Sequence, residues 1–204
     1  MKWEELPFEA AISFLRGKSA LRKDDWLRLD ARARLKAFTV AGVARQSLLD
    51  TILAGITRAV AEGQSFDAFR KAHQVKLERE WQGTVENPSH RVEVIFRTNV
   101  QTAYAIGRWE QQRTPEALSE RPYGLFSAIM DRRTSEVCRA CHGKIIPFAN
   151  TWWNSHYPPL HFQCRSTVIA LSPEQAAARG GLTFIPPEEN ASPGFGTVLR
   201  DWNG

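Results

Sequence analysis

The sequence predicts an α+β protein, with a mainly helical N-terminal body followed by a small β-rich C-terminal lobe. Three observations lead there. Apolar residues recur at three- and four-residue steps through the first 120 positions, the period of helices with one buried face. After Pro122 the pattern changes to short aromatic and β-branched runs separated by polar turns. All 3 cysteines of the 204-residue chain fall between positions 138 and 164, in the company of histidines. The implied organisation is a helical body over 1–121, a Cys/His-containing lobe over 122–179 and an extended tail over 180–204.

The helices follow in order. Pro7 is placed to open one from its first turn, with Phe8, Ala11, Ile12 and Leu15 on one face. Asp30 is a candidate N-cap for a segment through Val40. Leu48, Ile52, Ile56 and Val60 step by four, and Gly63 is the expected stop. Ser65 is the expected cap of the next helix, in which Phe66, Phe69 and His73 share a face. Asn87-Pro88-Ser89 is a break, and Ser89 is expected to cap the longest helix, His90 to Gln112. There Val92, Ile95, Phe96, Ala103 and Gly107 form the core-facing stripe, and Arg97, Gln101, Tyr104 and Arg108 form another face. Asn99 intrudes on the stripe and must find a hydrogen bond, expected from a neighbouring loop. Arg97 and Arg108 are expected to clamp carboxylates or carbonyls of the C-terminal lobe.

In the lobe, strands are expected at Tyr123–Met130, Lys144–Phe148 and Arg165–Leu171, with a short helix over Thr134–Cys141. Gln175 to Arg179 reads as a last helical turn, before a tail rich in Gly and Pro. Asp131 and Arg133 are expected to pair at a strand end and order the adjoining loop.

Composition is that of a folded domain: 43% hydrophobic and 24% charged. No apolar run approaches the 18 or so residues a membrane span needs. The acidic start, Glu4-Glu5, lacks the apolar core of a secretory leader, so membrane and secreted classes are not expected. The net charge is +5, and it is uneven. Nine Lys/Arg face three acids between Arg16 and Arg45. Such a stretch is either a solvated helix face or a surface for phosphates, and Arg22, Arg32 and Lys36 are the candidate phosphate or DNA contacts.

An odd cysteine count argues against a disulfide framework and for reduced thiols with another use. Cys138-x2-Cys141 and His161-x2-Cys164 are two paired modules separated by nineteen residues, long enough to bring four soft donors round one ion. The lobe is therefore expected to be metal-stapled, by structural zinc on Cys138, Cys141, His161 and Cys164. His142, His156 and Asp131 are spare donors that leave the ligand set open to permutation. Neither H-E-x-x-H nor the H-x-E with P-C-x-x-C of zinc deaminases occurs, which favours a closed, non-catalytic site.

Two blocks carry a resemblance. The first is Phe96-Arg97-Thr98-Asn99 with Ala103-Tyr104 and Gly107-Arg108. The second is Asp131, Arg133-Thr134, Cys138 and Gly143-Lys144, then His156-Tyr157-Pro158-Pro159-Leu160-His161 and Cys164-Arg165. In this order they resemble the phage head morphogenesis proteins of the phage Mu protein F-like (minor capsid protein) family, over about residues 5 to 172. Ser166 departs from the family pattern, which has a cysteine there. The resemblance implies a non-enzymatic minor head protein of the virion, in the capsid interior or at the portal vertex, that is assembled in the host cytoplasm. Its implied partners are the portal protein, other head proteins and packaged DNA contacted non-specifically, with no membrane. The competing expectation is a zinc-dependent nucleic-acid- or nucleotide-processing enzyme, a prophage effector, using Asp131, Arg133, Glu136 and His161. A sequence-specific DNA-binding zinc module is a third, but no basic recognition helix adjoins the cysteines.

Overall fold

The computed structural model describes residues 9–29, 33–34, 36–193 and 195–196. The elements run α1 (Glu9–Arg16), β1 (Ser19–Ala20), α2 (Lys23–Leu27), β2 (Ala37–Phe38), α3 (Gln46–Glu62), α4 (Phe66–Trp81), α5 (Pro88–Gln112) and α6 (Pro115–Glu120). They continue with β3 (Tyr123–Ser127), α7 (Glu136–Cys141), β4 (Ile145–Pro147), α8 (Trp153–His156), β5 (Thr167–Leu171) and α9 (Pro173–Ala177). The class is α+β, as the sequence predicts. The chain divides into two compact units, Met1–Gly107 and Arg108–Gly204, with the boundary inside α5. Among the described residues no helix is long and apolar enough to cross a membrane.

In the first unit, the apolar stripe of α3 (Leu49, Ile52, Ile56) is buried with Phe14 and Leu15 of α1 and with Phe69, Leu77 and Trp81 of α4. Gly55 permits this packing. A Cβ built there would lie 2.3 Å from His73 Nε2, so the helix approaches the imidazole more closely than any other residue would allow. Ser65 caps α4 by accepting from the Ala68 amide, and Gly63 ends α3 in the left-handed conformation, both as expected.

Three local expectations give way to different partners. Of the helix expected to run to Val40, residues 33 and 34 are helical, but Ala37–Phe38 is a strand, paired in parallel with Ser19–Ala20. Aromatic and β-branched residues 38–40 favour an extended chain once a partner strand is available. The expected caps Pro7 and Asp30 lie outside the described residues. Asn87, not Ser89, caps α5, its Oδ1 accepting from the His90 amide at 3.0 Å, while Ser89 Oγ accepts from Gln74 Nε2 at 2.9 Å. Asn99 finds its acceptor on its own helix, donating to the Ile95 carbonyl at 2.8 Å rather than holding a loop.

The second unit is built on a three-stranded antiparallel sheet in the order β4-β3-β5. Strand alternation buries Gly124 and Phe126 on one face, with Ile146, Phe148, Trp153 and Val168 among the buried residues. On the other, Ile145, Leu171 and Ala176 cluster with Tyr123, Leu125 and Leu182. A Cβ on Gly124 would meet Trp153 Cζ2 at 2.7 Å, so the glycine makes room for the indole. Residues 183–192 run over the lobe as a strap. Thr183 N donates to Ile145 O at 2.8 Å, Trp152 Nε1 to Pro187 O at 2.8 Å and Ser192 N to Leu160 O at 2.8 Å. His156, stacked on Trp152 at 4.3 Å, donates from Nε2 to Glu189 O at 2.7 Å.

Candidate metal centre

Two segments build the centre. Ser135 ends the loop after β3 and caps α7 by accepting from the Cys138 amide at 3.4 Å, which sets Cys138 in the first turn. The turn at His161–Cys164 brings the other two donors: Cys164 N donates to His161 O at 3.2 Å, and Gln163 takes the left-handed conformation, φ 56°. Cys138 Sγ then lies 3.3 Å from His161 Nε2 and 3.7 Å from Cys164 Sγ, and the three ligand atoms sit within 4.8 Å of one another. This group could hold a metal ion.

The tautomer suits the task. His161 Nδ1 lies 2.8 Å from the Phe162 carbonyl, which can only accept, so Nδ1 carries the proton. In the neutral ring, Nε2 then presents its lone pair to the cluster, where it also accepts from the Ser135 hydroxyl at 2.8 Å. A backbone carbonyl behind a ligating imidazole is the common outer-shell arrangement of metal sites. The electrostatics agree. A hydrogen bond from Cys138 draws the Cys164 thiol well below its ordinary value despite its burial, and the protonated His161 ring adds to it. The bond to Cys164 and burial push Cys138 the other way. The bond to Cys164 raises the His161 imidazole. Three soft donors thus converge where a cation would neutralise charge.

Of the four expected ligands, Cys138, His161 and Cys164 come together. Cys141 is fully buried three residues along α7, with its thiol outside the group and pushed up to about 12, chiefly by burial. The spare donors are used elsewhere. His142 Nδ1 accepts from the Ala128 amide at 3.1 Å, and His156 holds the strap. Asp131 accepts both guanidinium N–H groups of Arg165, at 2.6 and 2.7 Å, and the Arg133 amide at 2.8 Å. The Arg133 side chain itself is 81% exposed and 3.9 Å away, so the partner of Asp131 is chiefly Arg165. Arg165 stands in the second sequence block beside Cys164, but the sequence does not signal its pairing with Asp131.

Arg97 pairs with Glu93 at 2.6 Å on the surface of α5. Arg108 does reach a lobe strand, donating to the Thr167 hydroxyl. Gln112 and Arg113, unremarked in the sequence, donate to the carbonyls of Val168 at 3.0 Å and Phe148 at 2.6 Å. Among the candidate phosphate contacts, Arg22 is exposed and 3.3 Å from Asp25, Lys36 is exposed, and Arg32 lies outside the described residues.

The family described as phage Mu protein F like protein matches residues 50–169, a span that holds α4, α5 and the whole cluster. The chain is 31% identical over 181 residues to capsid assembly protein F of Escherichia phage Mu, covering 82% of this chain and 41% of that protein. It is 32% identical over 166 residues to the Mu-like prophage FluMu F protein of Haemophilus influenzae, covering 76% of this chain and 40% of that one. The chain thus spans about two fifths of the length of these relatives. No solved structure matches it significantly. By the family match and both relatives, the chain belongs to the phage Mu protein F-like family.

Proposed function

We propose that the chain is a structural component of phage head assembly. It acts with other head proteins at the portal vertex, resides in the virion, and touches packaged DNA without sequence preference through Arg22, Arg32 and Lys36. The observation that carries this reading is the family match over residues 50–169, with a relative named for capsid assembly. A non-enzymatic role is supported by the site itself. Asp131, the carboxylate of the loop that leads into α7, has both oxygens engaged by Arg165 and is not placed to act as a general base.

The centre takes zinc as a structural ion. Cys138, His161 and Cys164 hold it, and Cys141 is the candidate fourth ligand by its spacing on α7. Zinc there supplies charge neutralisation and a covalent cross-link between the α7 and 161–164 segments, and binding energy of this kind adds directly to folding energy.

The experiment has two arms. Protein purified under reducing conditions should contain about one equivalent of zinc, and Cys164→Ser should lose it and lower the melting temperature of the lobe. Metal-free protein with an unchanged melting curve refutes the zinc assignment. In the second arm, the chain should co-purify with the portal protein of its phage and bind duplex DNA weakly. The slope of log K against log salt should be about −0.9 per phosphate neutralised. Charge reversal of Arg22, Arg32 and Lys36 should weaken DNA binding without unfolding. Metal-dependent turnover of DNA or nucleotides, abolished by Asp131→Ala or Glu136→Ala, would favour the enzyme instead.

A further inference from the structure

The strap over the second unit presents its two largest apolar side chains to solvent. Phe184 is 91% exposed and Ile185 86% exposed, yet the backbone on either side is anchored, by Thr183 to Ile145 and by Pro187 to Trp152. Pro186 and Pro187 stiffen the segment further. An apolar pair held out on a fixed backbone has already lost much of the conformational freedom that binding would otherwise remove. Two acids, Glu188 and Glu189, follow at once, both exposed.

The first unit contains a feature of the opposite kind. A groove of about 650 Å³ opens between the end of α1, β1 and the outer side of α3. Leu15, Leu53, Ala54 and Ala61 contribute its apolar lining, and Arg16, Lys18 and Arg58 its cations, Lys18 donating to the Ala37 carbonyl at 3.1 Å. Among the described residues neither arginine has an ion pair. The two acids of the lining are engaged by amides: Asp50 accepts from Gln46 at 3.1 Å and Glu62 from Gln64 at 2.7 Å. The groove therefore offers an apolar surface beside free positive charge, the complement of an apolar pair followed by two carboxylates. A nucleic acid backbone would find the cations but would gain nothing from the apolar lining.

We propose that the groove of one copy receives the Phe184–Glu189 strap of a second copy of this chain. Each copy carries both a plug and a socket, so the contact is heterologous and repeats from copy to copy, giving a ring if the rotation closes and a filament if it does not. The apolar pair supplies the buried anchor, and the acids, facing Arg16 and Arg58, fix the direction and speed the encounter.

The test uses the full chain in sedimentation velocity over a wide concentration range. It is paired with fluorescence anisotropy of a labelled synthetic peptide spanning residues 182–190. The wild-type chain should self-associate with rising concentration and bind the peptide. Phe184→Asp with Ile185→Asp should weaken self-association at least about tenfold while leaving the melting curve unchanged, because both side chains are solvated in the single copy. Arg16→Glu with Arg58→Glu should do the same and abolish peptide binding. Mixing that variant with Glu188→Arg/Glu189→Arg should restore association between unlike copies, although neither variant associates alone. A chain that stays monomeric and ignores the peptide overturns the proposal, as does an oligomer unmoved by these substitutions. Displacement of the peptide by duplex DNA would reassign the groove to nucleic acid and overturn it as well.

Discussion

Asp131 and Arg165 form a two-bond fork, at 2.6 and 2.7 Å, between the loop that leads into α7 and the residue that follows Cys164. The fork ties together, one step behind the donors, the two segments that carry Cys138 and Cys164. The same carboxylate accepts the Arg133 amide, and Thr134 closes the loop by accepting from the Asp131 amide and donating to the Ile129 carbonyl. Bidentate geometry fixes orientation as well as distance, which a lysine at position 165 would not reproduce.

Asp131→Asn should therefore loosen the centre without removing a ligand. Partners one step behind metal ligands typically change affinity about 10- to 100-fold when removed. Zinc competition against a chromogenic chelator should show a loss in that range, and Arg165→Lys should show a smaller one. Tryptic cleavage at Arg132 or Arg133 should accelerate in both variants. Unchanged affinity and unchanged cleavage would mean that the fork does not position the cysteines.

A second prediction concerns pH. Glu80, at the end of α4, accepts the amides of Ala44 and Arg45 at 3.1 Å and the Arg45 guanidinium at 2.7 Å. It thereby caps the start of α3, whose own N-cap position has no side-chain bond. Burial works to raise its carboxyl, but the Arg45 and Ala44 hydrogen bonds outweigh it and hold the group below its ordinary value. A depressed carboxyl contributes stability that is complete above the ordinary value and is lost as pH falls through the lower, folded-state value. Glu80→Gln should cost about 1 kcal/mol near neutral pH, as for lost helix caps. The gap between wild-type and variant melting temperatures should narrow as pH falls below the ordinary carboxylate range. A gap independent of pH would show that the charge of Glu80 does not matter.

A third tests the closest helix approach. Gly55→Ala sets a methyl against His73 and should cost roughly 1–3 kcal/mol, although alanine favours helix. The imidazole should be the obstacle. In the His73→Ala background, Gly55→Ala should be neutral or stabilising, a coupling that a double-mutant cycle in urea measures. Additive losses would place the strain elsewhere.

A fourth concerns the second unit. Trp153 is buried against Phe148, Tyr157 and the bare face of Gly124, and its Nε1 donates to Pro147 O at 3.1 Å. Trp153→Ala should cost about 3–5 kcal/mol by cavity formation. A loss under 1 kcal/mol would show that the sheet face can collapse into the space.

Much that depended on local pattern was legible in the sequence, though not the Asn87 cap of α5 or the bond from Asn99 to Ile95. The four-residue steps of α3, the Ser65 cap, the Gly63 stop and the alternation of β3 each follow from chemistry within one or two turns of chain. So did the gathering of Cys138, His161 and Cys164, because soft donors in paired spacings have few other uses in a chain with reduced thiols. What the sequence left undetermined were the partners chosen across long separations. Residues 37–38 became a strand because 19–20 lay alongside, Glu80 capped a helix that begins thirty-four residues earlier, and Arg165 joined Arg133 at Asp131 as the principal partner. The strap after Gly181 had the composition of a loose tail, but the backbone groups of Thr183, Pro187, Glu189 and Ser192 are bonded to Ile145, Trp152, His156 and Leu160. A periodic pattern records which face of a segment is apolar. Which distant carbonyl, carboxylate or strand edge that segment meets is settled only when the chain has closed on itself.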